Sequence, residues 1–261
     1  LTGNDLRQII LAAAYKSNTG HIGCALSVAD IIATLYSDTL NIESPEDPGR
    51  DIFILSKGHA ALALYSALEI KNWLPIDALN TYCQDGTLLG VHPSNQLRGI
   101  EYSTGSLGQG FSVAIGMALA FKKLGPNRKV YVLLSDAECN EGLVWEAAAF
   151  AAHHQLDNLI AIVDNNGMQA FGQTRKVLIP GGRLETIWRA FGWEVDTVDG
   201  HLMAAMKTVF SFKSRMTPRV IIANTMLGRG VSFMENNLES HYLPLNDQEY
   251  SQAMTEVRNA R

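Results

Sequence analysis

The sequence predicts a doubly wound α/β fold, a mostly parallel sheet with helices on both faces. Two observations carry this. The strand-like segments "DIFIL" (51–55), "KVYVLL" (129–134), "NLIAIVD" (158–164), "WEVDTV" (193–198) and "RVIIAN" (219–224) read as near-continuous apolar runs, the pattern of strands covered on both faces. From 129 onward they alternate with helical stretches at 142–155, 184–192 and 202–214, and β-α-β-α alternation implies parallel pairing. The 261 residues fit one large or two small domains. With no internal linker visible, a single domain over 1–261 ending in a helical tail is expected.

Helical periodicity runs through 4–17, 27–38 and 59–72, and "NIESPEDPGRD" is a Pro/Gly turn segment. The strand 51–55 feeds the helix starting near Gly58. Segment 84–106 is rich in Gly, Pro, Ser and Asn without periodicity, and so long an irregular stretch in a compact domain usually serves function. A helix at 107–124 is expected to stop at Gly125-Pro126. The tail from Asp247 reads as a polar helix.

Composition narrows the function. A net charge of −5 and a pI near 5.8 argue against a nucleic-acid face. No run of about 18 apolar residues marks a membrane span, and "LTGNDLRQIILAAAYKS" lacks the basic start and long apolar block of a signal peptide. The initiator Met is absent, so the natural start is expected upstream. Three scattered cysteines, Cys24, Cys83 and Cys139, form no CxxC. This speaks against a disulfide framework or a thiolate zinc site and for a reducing, cytoplasmic setting.

In such sheets ligands sit outside the carboxyl ends of the strands. Three places there are readable: after 134, giving Asp136; after 163, giving "DNNGM"; and after 224, giving "TMLGRG". Asp136 and Asn166 lie 166 − 136 = 30 residues apart, one βαβ unit, and adjacent strands are about 4.8 Å apart. A carboxylate, an amide oxygen and a backbone carbonyl are hard donors that suit Mg²⁺ or Ca²⁺. The same residues equally suit a helix cap and a turn.

"SDAE…EGLVWEAAAFAAHHQLDNLIAIVDNNGMQAFG" resembles the thiamine diphosphate fingerprint, Gly-Asp-Gly followed by Asn-Asn. "SNTGHIGCALSVADIIATLY", "ILSKGHAALALYSAL", "GVHPS", "STGSLGQGFSVAIGMALA" and "LGRGVSFMENN" extend the likeness. In this order they resemble the N-terminal, diphosphate-side domain of transketolase over nearly the whole chain. The Gly-Ser-Leu-Gly-Gln-Gly run is not a dinucleotide motif, because its glycine order differs and no apolar strand precedes it.

The resemblance implies a thiamine diphosphate-binding fold and the following site. Asp136, Asn166 and the backbone carbonyl of Met168 would hold a divalent ion, Mg²⁺ or else Ca²⁺ or Mn²⁺. That ion and His59, with the backbone near Ala137, would hold the diphosphate. Gly105, Ser106 and Leu107 would line the aminopyrimidine side. His21, His92 and His241 would surround the thiazolium and the donor's hydroxyls. Histidines suit ketol transfer because they donate, accept or shuttle protons near neutral pH. Glu141 stands where the family has a carboxylate near the subunit interface, although a helix-start acid fits equally. Glu138 is expected to be solvated. His153 and His154 are expected to be partly exposed, and His201 has no catalytic counterpart.

The resemblance further implies a domain that packs on the pyrimidine ring and supplies an activating glutamate, and the sequence contains none. The expectation is therefore a split transketolase, inactive alone and working with a separate C-terminal subunit, as in α2β2, on sugars or sugar phosphates. A truncated form of a longer chain is the alternative origin. Another thiamine enzyme, such as a 2-oxo acid dehydrogenase E1 subunit or a deoxyxylulose-phosphate synthase, and a non-catalytic subunit remain alternatives. Both fingerprint glycines around Asp136 are replaced, by Ser135 and Ala137. The Ala137 methyl is tolerable only if its φ is negative. Ser106 stands where proline is common, and "TVDGHL" lacks an acid that often follows the histidine.

Overall fold

The computed structural model describes residues 1–75, 77–125, 128–178, 183–212 and 216–259. The helices are α1 (Gly3–Ser17), α2 (Ile22–Thr34), α3 (Ala61–Ile70), α4 (Gln109–Leu124), α5 (Gly142–His153), α6 (Thr174–Val177), α7 (Leu184–Ala190), α8 (Met203–Ser211) and α9 (Asp247–Asn259). The strands are β1 (Ile52–Leu55), β2 (Val130–Ser135), β3 (Leu159–Asn165), β4 (Met168–Gln169), β5 (Gly172–Gln173), β6 (Glu194–Asp199) and β7 (Arg219–Asn224).

Strands β1, β2, β3, β7 and β6 form one sheet in that spatial order, with every pair parallel. The steps β1→β2→β3→β6 move the same way across the sheet, so right-handed crossovers drop α4, α5 and α7 onto one face. The step β6→β7 runs backward and sends α8 to the other face. The side chains follow this winding. Ile54, Val132, Ala161 and Ile222 pack with Phe111, Val144 and Trp188. Leu55, Leu133, Ile162 and Ile221 pack with Leu26, Leu64, Met206 and Val257, from α2, α3, α8 and α9.

The expected elements are present with shifted ends. Helix α2 begins at Ile22 rather than 27 and runs into a π-turn at Leu35–Thr39. Helix α4 begins at Gln109 because Gly108 takes φ +82°. Strand β6 is an edge strand with only Val195 and Val198 buried, so it is not a run covered on both faces. Segment 84–106 carries no helix or strand. The hairpin β4–β5 and the short α6 have no counterpart in the sequence reading. The expected helix stop at Pro126 and the helix end at 213–214 lie outside the described residues. Among the described residues no helix is long and apolar enough to cross a membrane.

Candidate active site

Strand β2 ends at Ser135 beside Asp164 of β3, and the backbone turns there to bring Asp136 against the 166–168 turn. The Asp136 carboxylate accepts the N–H of Ala137 at 3.0 Å and of Gly167 at 3.1 Å. The residue is fully buried, and burial pushes its carboxyl up to about 6, with the Thr174 hydroxyl and Lys57 opposing. The Asn166 side chain is held from both ends: Nδ2 donates to Asp164 Oδ2 at 3.0 Å, and Oδ1 accepts the Met168 N–H at 2.9 Å. Among the described residues no group of three or more His, Cys, Asp or Glu side chains is arranged for a metal. The donor set here is different in kind: one carboxylate, one amide oxygen and backbone carbonyl. It leaves Asp136 without a full countercharge, because the nearby Lys57 is paired with Asp164. That chemistry fits a hard divalent cation.

Beside this pair lies a cavity of about 450 Å³. His21, His59, His92, Gly105, Leu107, Ala137, Glu141, Asn166, Met168 and His241 all line it. Ser106 is exposed between its two lining neighbours, and Asp136 sits beneath the wall. Three imidazoles form a triangle, with ring centroids 5.1 Å apart for His21–His241, 5.6 Å for His59–His241 and 5.8 Å for His21–His59. Two glycines make this possible. A Cβ on Gly20 would lie 2.2 Å from the Tyr242 carbonyl oxygen, and one on Gly23 would lie 2.5 Å from Ser240 Oγ. Their bare backbones let segment 240–242 close on α2, where His21 N–H donates to the His241 carbonyl at 3.2 Å. His21 itself takes φ +60°, a left-handed conformation unfavourable for a non-glycine residue.

Burial and neighbouring positive charge lower all three pKa values: His21 below its ordinary value, His59 well below it and His241 to about 4. Each ring is therefore neutral at pH 7 and offers one donor and one acceptor. His92 stands on the exposed side, its ring 3.3 Å from where a Gly105 Cβ would be.

Ala137 takes φ −63° and ψ −40°, an ordinary conformation that satisfies the condition for its methyl group. Ser135 is more than a tolerated replacement. Its Oγ accepts the Glu138 N–H at 3.0 Å, and Glu138 Oε2 accepts the Ser135 N–H at 3.3 Å, a reciprocal cap on the turn after β2. The expectation that Glu138 is solvated is therefore wrong. It is fully buried and also accepts the Gly108 N–H at 2.7 Å and the Ser56 hydroxyl. Glu141 is exposed at the N-cap of α5, and its side chain makes no capping bond. His153 is exposed and His154 half-buried. His201 Nε2 accepts the Met226 N–H at 2.9 Å, which places its proton on Nδ1, 2.8 Å from Asp30.

The sequence reading missed the buried pair beneath the cavity. Lys57 and Asp164 are both fully buried and bonded to each other. Asp164 also accepts from Ser27 at 2.8 Å and from Thr225. A carboxylate at the end of an apolar strand was the available signal.

A parallel α/β chain with oxygen donors and neutral imidazoles gathered at its strand ends is, in class, a protein that binds ligand at the carboxyl edge of its sheet. The chain belongs to the transketolase family, and residues 2–258 match the family described as "Transketolase, thiamine diphosphate binding domain". It is 40% identical over 262 residues to the 6-deoxy-6-sulfo-D-fructose transketolase subunit SqwG of Clostridium sp. (strain MSTE9), covering 97% of this chain and 94% of that one. It is 40% identical over 258 residues to an apulose-4-phosphate transketolase subunit from Actinobacillus succinogenes, covering 97% and 93%. Among solved structures, transketolase from Campylobacter jejuni superposes with a TM-score of 0.90 at 30% identity. Transketolase from Leishmania mexicana gives 0.91 at 26%. Each superposition covers 98% of this chain but only 42% and 40% of those chains. The chain is thus a transferase subunit of transketolase type, similar in extent to the named subunits and to less than half of the solved transketolases.

Proposed function

We propose that this chain is the diphosphate-side subunit of a split transketolase. It would bind thiamine diphosphate through a divalent ion, Mg²⁺ by preference, and move a two-carbon ketol unit between sugars or sugar phosphates. The observation that carries this is the meeting of Asp136, the 166–168 turn and three neutral histidines around one cavity. Asp136, Asn166 and the Met168 carbonyl are the ion's ligands in this reading. His59 and the backbone at Ala137 lie where a diphosphate can be reached, and Gly105, Ser106 and Leu107 edge the pyrimidine side. When bound, thiamine diphosphate would supply a nucleophilic carbon and an electron-accepting ring that stabilises the cleaved two-carbon unit. His21, His92 and His241 orient the donor's hydroxyls and carry a proton away from, then back to, oxygen. Glu141 faces outward, where a carboxylate can meet another subunit.

The reading that a partner carries the pyrimidine-side domain is supported by the relatives, which match this chain over more than nine-tenths of their length and are themselves named subunits. An α2β2 assembly, active only when complete, is the arrangement we infer. The relatives' named substrates include a sulfonated ketose and a phosphorylated one. Here the only lysine or arginine lining the cavity among the described residues is Lys57, held by Asp164. In this reading an anionic sugar tail would be met from the partner's side of the site.

The test is to combine the chain with its partner subunit, thiamine diphosphate and Mg²⁺, and to measure ketol transfer and cofactor uptake. Asp136→Ala is expected to abolish both together. Full activity in that variant would refute the metal assignment, and CO₂ release from a 2-oxo acid donor would redirect the reading to another thiamine enzyme.

A further inference from the structure

Cys24 lies in the first turn of the helix α2, and its Sγ is 3.1 Å from Nδ1 of His241. Both residues line the histidine cavity. Cys24 is 3% exposed, and burial drives its thiol pKa up to about 12. The sulfur therefore keeps its proton, and this thiol is not an activated nucleophile. The ring beside it is neutral as well, so one proton lies between two neutral groups. Either the thiol donates to an unprotonated Nδ1, or a protonated Nδ1 donates to sulfur. Imidazole nitrogen is a strong acceptor and thiol sulfur a weak one, so the first arrangement is the stronger bond.

The surroundings keep the ring in place to receive it. The His241 carbonyl is held by the His21 N–H, and the ring meets His21 edge-on with an interplanar angle of 85°. The His241 Nε2 makes no hydrogen bond with any described residue, and His241 is only partly buried, so this nitrogen is the one left for a ligand.

We infer that Cys24 is a positioning residue that fixes His241 as its Nε2–H tautomer, presenting a hydrogen-bond donor to whatever occupies the cavity. The tautomer itself rests on this geometry and on both groups being neutral, and not on the function proposed above. Its consequence for sugars rests on the function proposed above: His241 serves as a donor to a ketose oxygen, and proton removal falls to His21 or His92. Cys24 acts through His241 and touches no reacting atom.

The experiment is ¹⁵N correlation spectroscopy of the chain labelled in histidine, at pH 7.5, with His241 assigned by its loss in His241→Gln. The wild-type chain is expected to show an unprotonated Nδ1 and a protonated Nε2. Cys24→Ser, which keeps a donor, is expected to retain that pattern. Cys24→Ala is expected to shift both nitrogens toward the averaged values of exchanging tautomers. A wild-type His241 protonated on Nδ1, or a Cys24→Ala spectrum identical to wild type, overturns the inference. In the assembled enzyme, Cys24→Ala is expected to raise the KM for the ketose donor several-fold, with Cys24→Ser close to wild type. An unchanged KM would overturn the role assigned to the donor. Absence of ketol transfer in the wild-type pair would refute the function reading and leave the tautomer result standing.

Discussion

Ser135 and Glu138 bond each other in both directions, hydroxyl to backbone N–H at 3.0 Å and carboxylate to backbone N–H at 3.3 Å. A glycine at 135 could make only half of this exchange. The serine that replaces a fingerprint glycine thus tightens the loop holding Asp136.

Removing the carboxylate tests this brace. Glu138→Ala leaves the Gly108 N–H, the Ser135 N–H and the Ser56 hydroxyl without their shared acceptor. Each buried donor left unmade costs about 1 kcal/mol or more, so the loss is expected near 3 kcal/mol in urea unfolding. Glu138→Gln retains one acceptor oxygen and is expected to fall between. A loss below about 0.5 kcal/mol for Glu138→Ala, the range of an ordinary surface change, would contradict the buried role.

This cap also marks where the sequence stops being readable. The apolar strands and their spacing were legible because burial on both faces leaves a continuous pattern, and Asp136 and Asn166 were legible because they end such strands. Glu138 was not, since its partners Ser56 and Gly108 lie 82 and 30 residues away. Only the local Ser-x-x-Glu spacing hinted at it. The Lys57–Asp164 pair, 107 residues apart in sequence, has the same character. The start of α2 was hidden because its first turn holds Gly23, a poor helix former, and His21 before it provides no side-chain cap.

The neutral histidines predict a pH dependence. His59 and His241 have pKa values lowered by burial first, so below about pH 6.5 the unfolded chain binds protons that the native chain refuses. Stability from these groups is present above that pH and is lost as pH falls toward their native values. Asp136, raised to about 6, runs the other way: its contribution is present below its unfolded value and lost as pH rises through 6. Wild type shows the sum. His59→Gln removes one histidine while keeping Asp136, so its stability should fall less between pH 7 and pH 5, by at most about 2 kcal/mol. Parallel pH profiles for the two chains would sink this account.

Lys57 and Asp164 share a wholly buried ion pair. Removing one member leaves the other charge without its partner, at about 3–5 kcal/mol. Lys57→Met is therefore expected to lower the melting temperature by about 10 °C, measured by calorimetry on the chain alone. A shift under about 2 °C would mean that Ser27, Thr225 and Asn166 suffice to hold Asp164.

Asp164 also turns the Asn166 amide so that its oxygen faces the 166–168 turn. Asp164→Asn can present a donor where Asn166 Nδ2 now donates, freeing that amide to rotate. Outer partners of this kind typically matter 10–100-fold for metal affinity. Mg²⁺ titration of the assembled pair with thiamine diphosphate should show a loss of about that size. Chelation should strip the cofactor from wild type, and added Mg²⁺ should restore it. Cofactor retained in full under chelation would count against an ion-held diphosphate.

Ala137 is the other replaced glycine, and its backbone decides its effect. With φ at −63° it needs none of glycine's freedom. Ala137→Gly should therefore bring no relief of strain and should destabilise the chain by about 0.4–1 kcal/mol, because the unfolded state gains conformations. Its N–H is bonded to Asp136 Oδ1 at 3.0 Å, a bond that glycine keeps. The Asp136 loop should consequently hold its shape, and thiamine diphosphate affinity in the assembled pair should stay within about two-fold of wild type, under about 0.5 kcal/mol. Calorimetric titration separates the outcomes. A ten-fold tighter Ala137→Gly variant would show that the methyl projects into the diphosphate's space. A weaker one would show that the methyl packs against the bound cofactor.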